Sequence, residues 1–588
     1  MVESIIKTLY LHPKYNRDER TGRFEKLRDD ALFYIVGKND GTRDVKIIVK
    51  PKYKYYLAKE DMGYHRLSIP IEKATPVVCE YSNRHNSMAE VLGLKDQYKQ
   101  AKMDWRTKRE WVQRNLYNNP QLYQADMNIE DLFKLAFNEK HGDHSTDIEY
   151  KTSFTDIEVR ADMDDFEQHK ALVPICSICH LDTLSETIYV MVLNDDKVPM
   201  IKEVFNNLGN YVDELRGFLK DIRNECVEKI KKKNGDSNSV HSFDFNFQFF
   251  LFEKEEDLIV KYFEIIKNTK PDFCGIWNIN FDMITIKNRA AKLGLNMADL
   301  VSDNIIPPKY RYFEYVEDHE RFKNGSQAHY SRYFDKVITT SSTQWYCQMS
   351  LHSNLRKRFL EDNYKLNTIG EKYANMKKLN LEDLGYTIKD VYVKNFKVFL
   401  NYAIIDPIVQ FMVERVNGDI PRYMVNCKDT QFFNGIRKTY GIKNELSVFL
   451  KNNKQEIIGN NKTYDISEFI PGAIIASPKN IVRKGEKLLG VDTHIYRNCV
   501  DLDITAEYPS LKIVYNILKT TLYGRIINIY VKRDLGDGMI INTPISDGAT
   551  FNKMLQTIDT SILDIGQKYF GLCSMDELIT HIEKSCLK

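Results

Sequence analysis

Between Lys151 and Gly294 the chain switches its hydrophobic period repeatedly, and this alternation limits the fold more than any other feature. KTSFTDIEVRADM opens on a strand, and PICSICHL and TIYVMVL are two further strand candidates by their β-branched and aromatic content. HSFDFNFQFFLF alternates strictly, which marks a strand with one aromatic face. In EKEEDLIVKYFEIIKNTKPDF the period lengthens: Leu258, Ile259, Tyr262, Phe263 and Ile266 recur at helical spacing, and Pro271 ends the element. FCGIWNINFDMITIKNRAAKLG then repeats strand, turn and helix. Strands alternating with helices over 151–300 predict an α/β domain with a mixed sheet. At 588 residues the chain exceeds the ~250–300 at which a single core stops growing, so the expected class is α/β multidomain.

The flanks are less regular. Residues 1 to about 150 mix short β-like runs, such as VKIIVKPKYKYYLA, with the polar helical stretch LGLKDQYKQAKMDWRTKREWVQRNL, rich in Lys and Arg. That stretch is either a solvated helix face or one lying beside a phosphate backbone. KIKKKNGDSNS reads as a flexible loop, and Lys229, Lys231, Lys232 and Lys233 as a basic patch compatible with solubility or with DNA. Residues 301–350 are irregular and aromatic, and from 361 the chain looks mostly helical as far as Val416. No run of eighteen apolar residues proposes a membrane span, and the N-terminus lacks a secretory pattern, so a cytoplasmic location is expected. Ten cysteines in a chain this long make no disulfide framework and point to a reducing compartment. Net charge is +2, from 84 basic and 82 acidic residues, which neither demands nor excludes a nucleic-acid partner.

The chemistry concentrates in a few acids. Asp156 and Glu158 are two apart on a strand, and a period of two puts both carboxylates on one face. Like charges so placed repel unless a cation or a proton joins them. NINFD ends in Asp282 where an apolar stretch turns towards a helix. NYAIIDP supplies Tyr402 and Asp406, four apart and hence on one helix face. If the four acids converge, an all-carboxylate cage suits Mg²⁺ or Mn²⁺ rather than zinc. Two such ions ~3.5–4 Å apart activate a water and stabilise the departing 3′ oxygen of a phosphodiester. Tyr402 would orient the water or the scissile phosphate. Pro407 follows Asp406 and removes a backbone donor, so a kink or a new helical start is expected there.

These segments carry a resemblance. DIE at 156–158, NINFD at 278–282 and YAIID at 402–406 look like the three exonuclease motifs of family B DNA polymerases. DITAEYPS at 503–510 resembles that family's first polymerase motif, and FIPGAIIASP at 469–478 its segment joining exonuclease and polymerase parts. The nearest likeness is to the T4-like bacteriophage branch, and it runs from roughly residue 30 to 515 with five motifs in the family's order. It implies a ribonuclease-H-like 3′–5′ proofreading exonuclease with Asp156, Glu158, Asp282 and Asp406 as ligands of two metal ions and Asn278 positioning the substrate strand. It further implies that Asp503 holds the polymerase metals and that Tyr508 sits under the sugar of an incoming deoxynucleoside triphosphate. The domains it implies are an N-terminal mixed domain over 1–150, the exonuclease over 151–416, a connecting segment over 417–495 packing on the N-terminal domain, and the start of a palm over 496–588. The implied partners are primer-template DNA with a single-stranded 3′ end and the deoxynucleoside triphosphates; a sliding clamp stays open.

The match to a polymerase is partial. Glu507 stands where the family usually has Leu, adding a charge near the triphosphate, and Asp501 has no role in the family pattern. Residues 511–588 contain neither the Asp-Thr-Asp hairpin that brings the second palm aspartate nor a fingers motif in its usual form. NILKTTLYGRI, with Lys519, Tyr523 and Gly524, imitates that motif but begins six residues beyond Ser510 and lacks the Asn-Ser pair. VDTHIY offers one carboxylate ahead of the motif, and DLGDGM at 534–539 has turn-like spacing. The expectation is therefore one chain of a split polymerase, with a second subunit bringing fingers, second palm aspartate and thumb. A stand-alone exonuclease with a polymerase remnant and a non-catalytic replication scaffold stay open.

Two further segments compete for attention. Cys176-x-x-Cys179-His180 sits in an apolar strand without a matching second pair, so buried thiols are expected rather than zinc ligands. SDNIIPPKYRYFEYVEDHERFKNGSQAHYSRYF interleaves aromatics with Lys and Arg as a single-strand channel would, but also carries many acids.

Overall fold

The computed structural model describes residues 2–17, 24–60, 66–101, 104–145, 147–161, 171–232, 240–316, 336–355, 361–427 and 438–460, and four short strands between 525 and 559. The chain forms two compact units. The larger takes in Met1–Lys54, Val78–Gly93 and Met127–Phe449, the smaller Tyr55–Val77, Leu94–Asp126 and Leu450–Lys588.

The larger unit begins with strands β1 (Glu3–Leu11), β2 (Ala31–Lys38) and β3 (Arg43–Val49), an antiparallel sheet in the order β1-β2-β3. Helix α1 (Ile129–His141) packs on β1. Asn128 caps α1 by accepting from Asp131 N at 2.7 Å.

The main sheet has eight strands. In chain order these are β4 (Thr152–Val159), β5 (Ile175–Asp182), β6 (Thr187–Leu193), β7 (Asn246–Phe252), β8 (Phe273–Ile276), β9 (Phe313–Val316), β10 (Lys336–Thr339) and β11 (Gln344–Cys347), arranged β7-β6-β5-β4-β8-β11-β10-β9. β5 runs antiparallel to its neighbours β4 and β6, β8 adds parallel to β4, and β11 adds parallel to β8. The expected mixed α/β sheet is therefore present.

Helices cover both faces. α2 (Leu208–Lys232) and the late helix α5 (Phe396–Asn417) lie on the side that buries Phe154, Val190, Phe243 and Phe245. α3 (Glu255–Thr269) and α4 (Ile279–Lys292) cover the side that buries Ile157, Val159 and Ile276. In α3 the periodic residues Leu258, Ile259, Tyr262, Phe263 and Ile266 are all buried, and Lys270 ends the helix in a left-handed conformation just before Pro271. α2 runs to Lys232, so Lys229, Lys231 and Lys232 belong to a helix rather than to the flexible loop expected. The aromatic strand starts only at Asn246, because Phe243 takes a positive φ of 63°. Phe243 and Phe245 are nevertheless buried, with Ser242, Asp244 and Asn246 turned outwards.

α5 is apolar almost all round. Among the described residues it is the helix long and apolar enough to cross a membrane, with mean hydropathy 1.4 over a window that is 78% buried. Its apolar residues are consumed by the sheet. Pro407 lies inside it, and the helix runs on without the new start that was one of the two expectations. The missing Pro407 N–H is outweighed by packing, since every residue from Ala403 to Val413 is buried.

In the smaller unit Ser68–Pro70 pairs antiparallel with Glu456–Ile458, and Tyr56 and Leu57 pair with Tyr123 and Leu122. Tyr56, Ala58, Ile69, Ala74, Tyr123 and Ile457 form its core. The Lys- and Arg-rich stretch breaks into helices Lys95–Ala101 and Trp105–Val112, the second capped by Asp104 accepting from Thr107 N at 2.8 Å. Later, Tyr530–Asp534 pairs antiparallel with Ile540–Pro544, and residues 535–539 of DLGDGM lie outside the described residues.

Candidate active site

β4 is the central strand, and its two faces do different work. Thr155, Ile157 and Val159 point into one core, while Phe154, Asp156 and Glu158 face the side covered by α5. Strand period two therefore delivers both acids to one place, each partly open to solvent. The register against β5 shifts between Glu158 and Val159, directly after the second acid. α5 crosses this face, and Asp406 projects from it at 1% exposure. Carboxylate oxygens of Asp156, Glu158 and Asp406 lie within 4.8 Å of one another.

Asp282 occupies the first turn of α4, which follows β8, and is 4% exposed. The helix dipole favours a carboxylate at that end. It stands outside the 4.8 Å group but inside its field. Asn278 precedes α4 at the N-cap position, exposed, and its side chain makes no capping bond. Tyr402, one turn before Asp406, is half-buried beside the cluster.

The structure adds one residue that the sequence did not single out. Lys378 forms an ion pair with Asp406 Oδ2, and its Nζ lies 4.9 Å from the Tyr402 ring centroid. A short turn over Gly370–Ala374 carries the lysine in. Met376 N donates to Gly370 O at 3.1 Å, Asn375 takes a φ of 54°, and Lys378 N donates to Asn367 Oδ1 at 3.0 Å. Gly370 is required by close approach: a Cβ there would lie 2.6 Å from Val409 Cγ1 and 2.7 Å from Met376 O.

Burial raises the proton affinity of all four acids. For Asp156, Glu158 and Asp282 the neighbouring carboxylates add to it, and Lys378 opposes it throughout. Burial also works against the Lys378 charge, but Asp406, Asp156 and Glu158 outweigh it and hold the ammonium charged above its usual range. One ammonium does not balance four carboxylates. Asp406 Oδ1 is buried without a hydrogen-bond partner. An all-oxygen donor set with a deficit of positive charge and one orphaned oxygen fits a hard divalent cation such as Mg²⁺ or Mn²⁺.

The Cys-x-x-Cys-His segment lies within β5. Cys176 and Cys179 are buried thiols, and burial pulls His180 down to about 3, so its imidazole stays neutral with Nδ1 2.8 Å from Thr155 Oγ1. Asp503, Tyr508, Asp501, Glu507, Lys519, Tyr523 and Gly524, together with VDTHIY and FIPGAIIASP, lie outside the described residues, as do residues 317–334 of the aromatic stretch that begins at Ser302.

Strand order, and acids gathered at the carboxyl ends of β4 and β8, define a ribonuclease-H-like α/β domain with a divalent-metal type of carboxylate site. Residues 121–369 match the family described as DNA polymerase family B, exonuclease domain, and this stretch of the chain is a domain of that family. No curated protein matches the chain. Asp156, Glu158, Asn278 and Asp282 fall inside the match, whereas Lys378, Tyr402 and Asp406 come after it and reach the site through the fold.

Proposed function

We propose that this chain removes nucleotides from the 3′ end of DNA as the proofreading part of a family B DNA polymerase. The observation that carries it is the convergence of Asp156, Glu158 and Asp406 within 4.8 Å. Asp156, Glu158, Asp406 and Asp282 would hold up to two divalent ions. Bound there, the ions supply Lewis-acid charge for the attacking water and the departing 3′ oxygen.

The remaining work falls to the chain's own side chains. Burial, reinforced by Asp406 and Glu158, keeps the Tyr402 hydroxyl protonated, so it donates a hydrogen bond to the water or the scissile phosphate. Lys378 brings a fixed positive charge to the same spot, where the phosphate gains negative charge in the transition state. Asn278 at the head of α4 is open to the substrate strand. Contacts of this kind read phosphate and an unpaired end rather than sequence.

The proposal extends to synthesis. Asp503 would hold polymerase metals and Tyr508 would select deoxyribose, in a palm beginning near 496 that follows a connecting segment over 417–495. A partner chain would bring fingers, the second palm aspartate and thumb, and 1–150 would form the N-terminal domain. Motif order supports this half, and T4-like kinship belongs to it.

The test uses the full chain, Mg²⁺ and a labelled primer on a longer template, with and without the four nucleotides. Primer shortening in both conditions, lost in Asp156→Ala, is expected. Undiminished shortening by Asp156→Ala refutes the site. Extension by this chain alone refutes the split arrangement, and extension by any reconstituted complex carrying Asp503→Asn refutes the palm assignment.

A further inference from the structure

Away from the carboxylate site, a cleft of about 680 Å³ opens in the larger unit beside β3. Arg43, Asp44, Val45 and Lys46 line one wall, Lys267, Asn268 and Lys270 at the end of α3 another, and Asp303, Asn304 and Ile305 the third. Four consecutive residues of one strand line the wall. A strand turned face-on offers only alternate residues, so β3 presents its edge. Among the described residues β3 pairs with β2 alone, which leaves the other row of its backbone N–H and C=O groups without a strand partner.

The charges in the cleft are unevenly matched. Arg43 is spent on Asp272, with Nε 2.6 Å and Nη2 2.7 Å from its carboxylate, and Asp44 pairs with Lys38 at 2.9 Å. Asp303 faces inward, its carboxylate accepting from Ser342 N and from Ser342 Oγ. Lys267 Nζ reaches Asp299 O at 2.9 Å, a carbonyl that does not cancel its charge. Lys46 and Lys270 are exposed. The ammonium groups of Lys46, Lys267 and Lys270 therefore dominate the opening.

A second hollow of about 380 Å³ shares Lys267, Asn268 and Asn304 with the cleft and is floored by Val260, Phe263 and Leu300. Ile305, 70% exposed, stands at the rim. A free strand edge, lysines across from it and an apolar hollow alongside are the three parts of a strand-addition site. We propose that this cleft binds an extended acidic segment of a partner protein, which adds as a fourth strand to β3. Its carboxylates meet Lys46, Lys267 and Lys270, and one apolar side chain enters the Val260–Leu300 hollow. A nucleic-acid strand satisfies the lysines but leaves the strand edge unpaired, and it would bring phosphates against Glu264.

The experiment uses the full chain and a fluorescein-labelled nine-residue peptide alternating glutamate with valine and isoleucine. Anisotropy reports binding, and hydrogen exchange follows the amides of Arg43–Val49. Saturable binding with slowed exchange in β3 is expected, and the double variant Lys46→Glu/Lys270→Glu should weaken it by about tenfold or more. Nuclease activity of that variant, at a site it does not touch, shows that it folds. No saturable binding overturns the proposal, as does binding indifferent to the charge reversal. Displacement by an oligothymidylate with no change in β3 exchange would make the cleft a phosphate site instead.

Discussion

Gly370→Ala tests how Lys378 is delivered, because one methyl group reaches the site only through packing. Gly370 has an ordinary negative φ of −59°, so alanine suits its backbone and by helix propensity alone would gain ~1 kcal/mol. The new Cβ, however, would lie 2.6 Å from Val409 Cγ1 and 2.7 Å from Met376 O. A side-chain methyl can rotate away; a carbonyl moves only with its backbone. Overpacking of this kind costs ~1–3 kcal/mol, so the net loss should be about 0–2 kcal/mol. Relief pushes the 370–376 turn away from α5 and takes Lys378 with it. A shift of ~1 Å in a positioning group can cost ~100-fold in rate. The assay is kcat/KM on a labelled single-stranded oligonucleotide with thermal unfolding measured in parallel. A fall of roughly tenfold to 100-fold with at most a few degrees lost in Tm is expected. Unchanged kcat/KM in a variant as stable as the parent would refute the delivery of Lys378 by this turn.

Two further perturbations follow from the same geometry. Lys378→Met should lower kcat by about 100-fold or more, as removal of a charge aimed at the transition state does, and tighter Mn²⁺ binding by calorimetry should accompany it because a competing cation is gone; unaltered kcat refutes the role. Lys7 is buried, held by Thr339 Oγ1, Ser341 O and Thr343 O and facing Asp303, and burial lowers it from 10.5 to about 7. Between pH 7 and 10.5 the unfolded chain holds a proton that the folded one lacks, so stability rises with pH across that window by at most ~1.4 kcal/mol per unit. In Lys7→Met the rise should disappear, read by denaturant unfolding at pH 7 and pH 9.5, and an identical slope in both proteins sinks the assignment.

Regular periods made most of the site legible. Period two put Asp156 and Glu158 together, and the four-residue step put Tyr402 with Asp406, because each pair shares one element. Phe263 and its neighbours revealed α3 for the same reason. Lys378 had no such signal. It sits on an irregular turn in a stretch that looked helical, and its position depends on Gly370, Asn375 and Asn367 contacts that carry no period. At Pro407 a new helical start was one expectation, and the helix instead continues, its lost donor offset by burial from Ala403 to Val413. The free edge of β3 was equally hidden, because pairing partners are a property of the sheet.

The lateness of α5 in the chain bears on how such a protein is made. Asp406 lies 250 residues after Asp156, on a helix long and apolar enough by composition to cross a membrane. A ribosome that has released only the first strands has therefore made an incomplete carboxylate site, and Asp406 joins Asp156 and Glu158 only when α5 emerges and docks. Until then one face of the sheet, with Phe154 and Phe245, is uncovered, and afterwards α5 itself is a hydrophobic segment in search of a surface. In the interval between those events the uncovered apolar surface is most open to aggregation. Changes that slow the docking of α5 should appear as poor yield in the cell before they appear as poor catalysis in the tube.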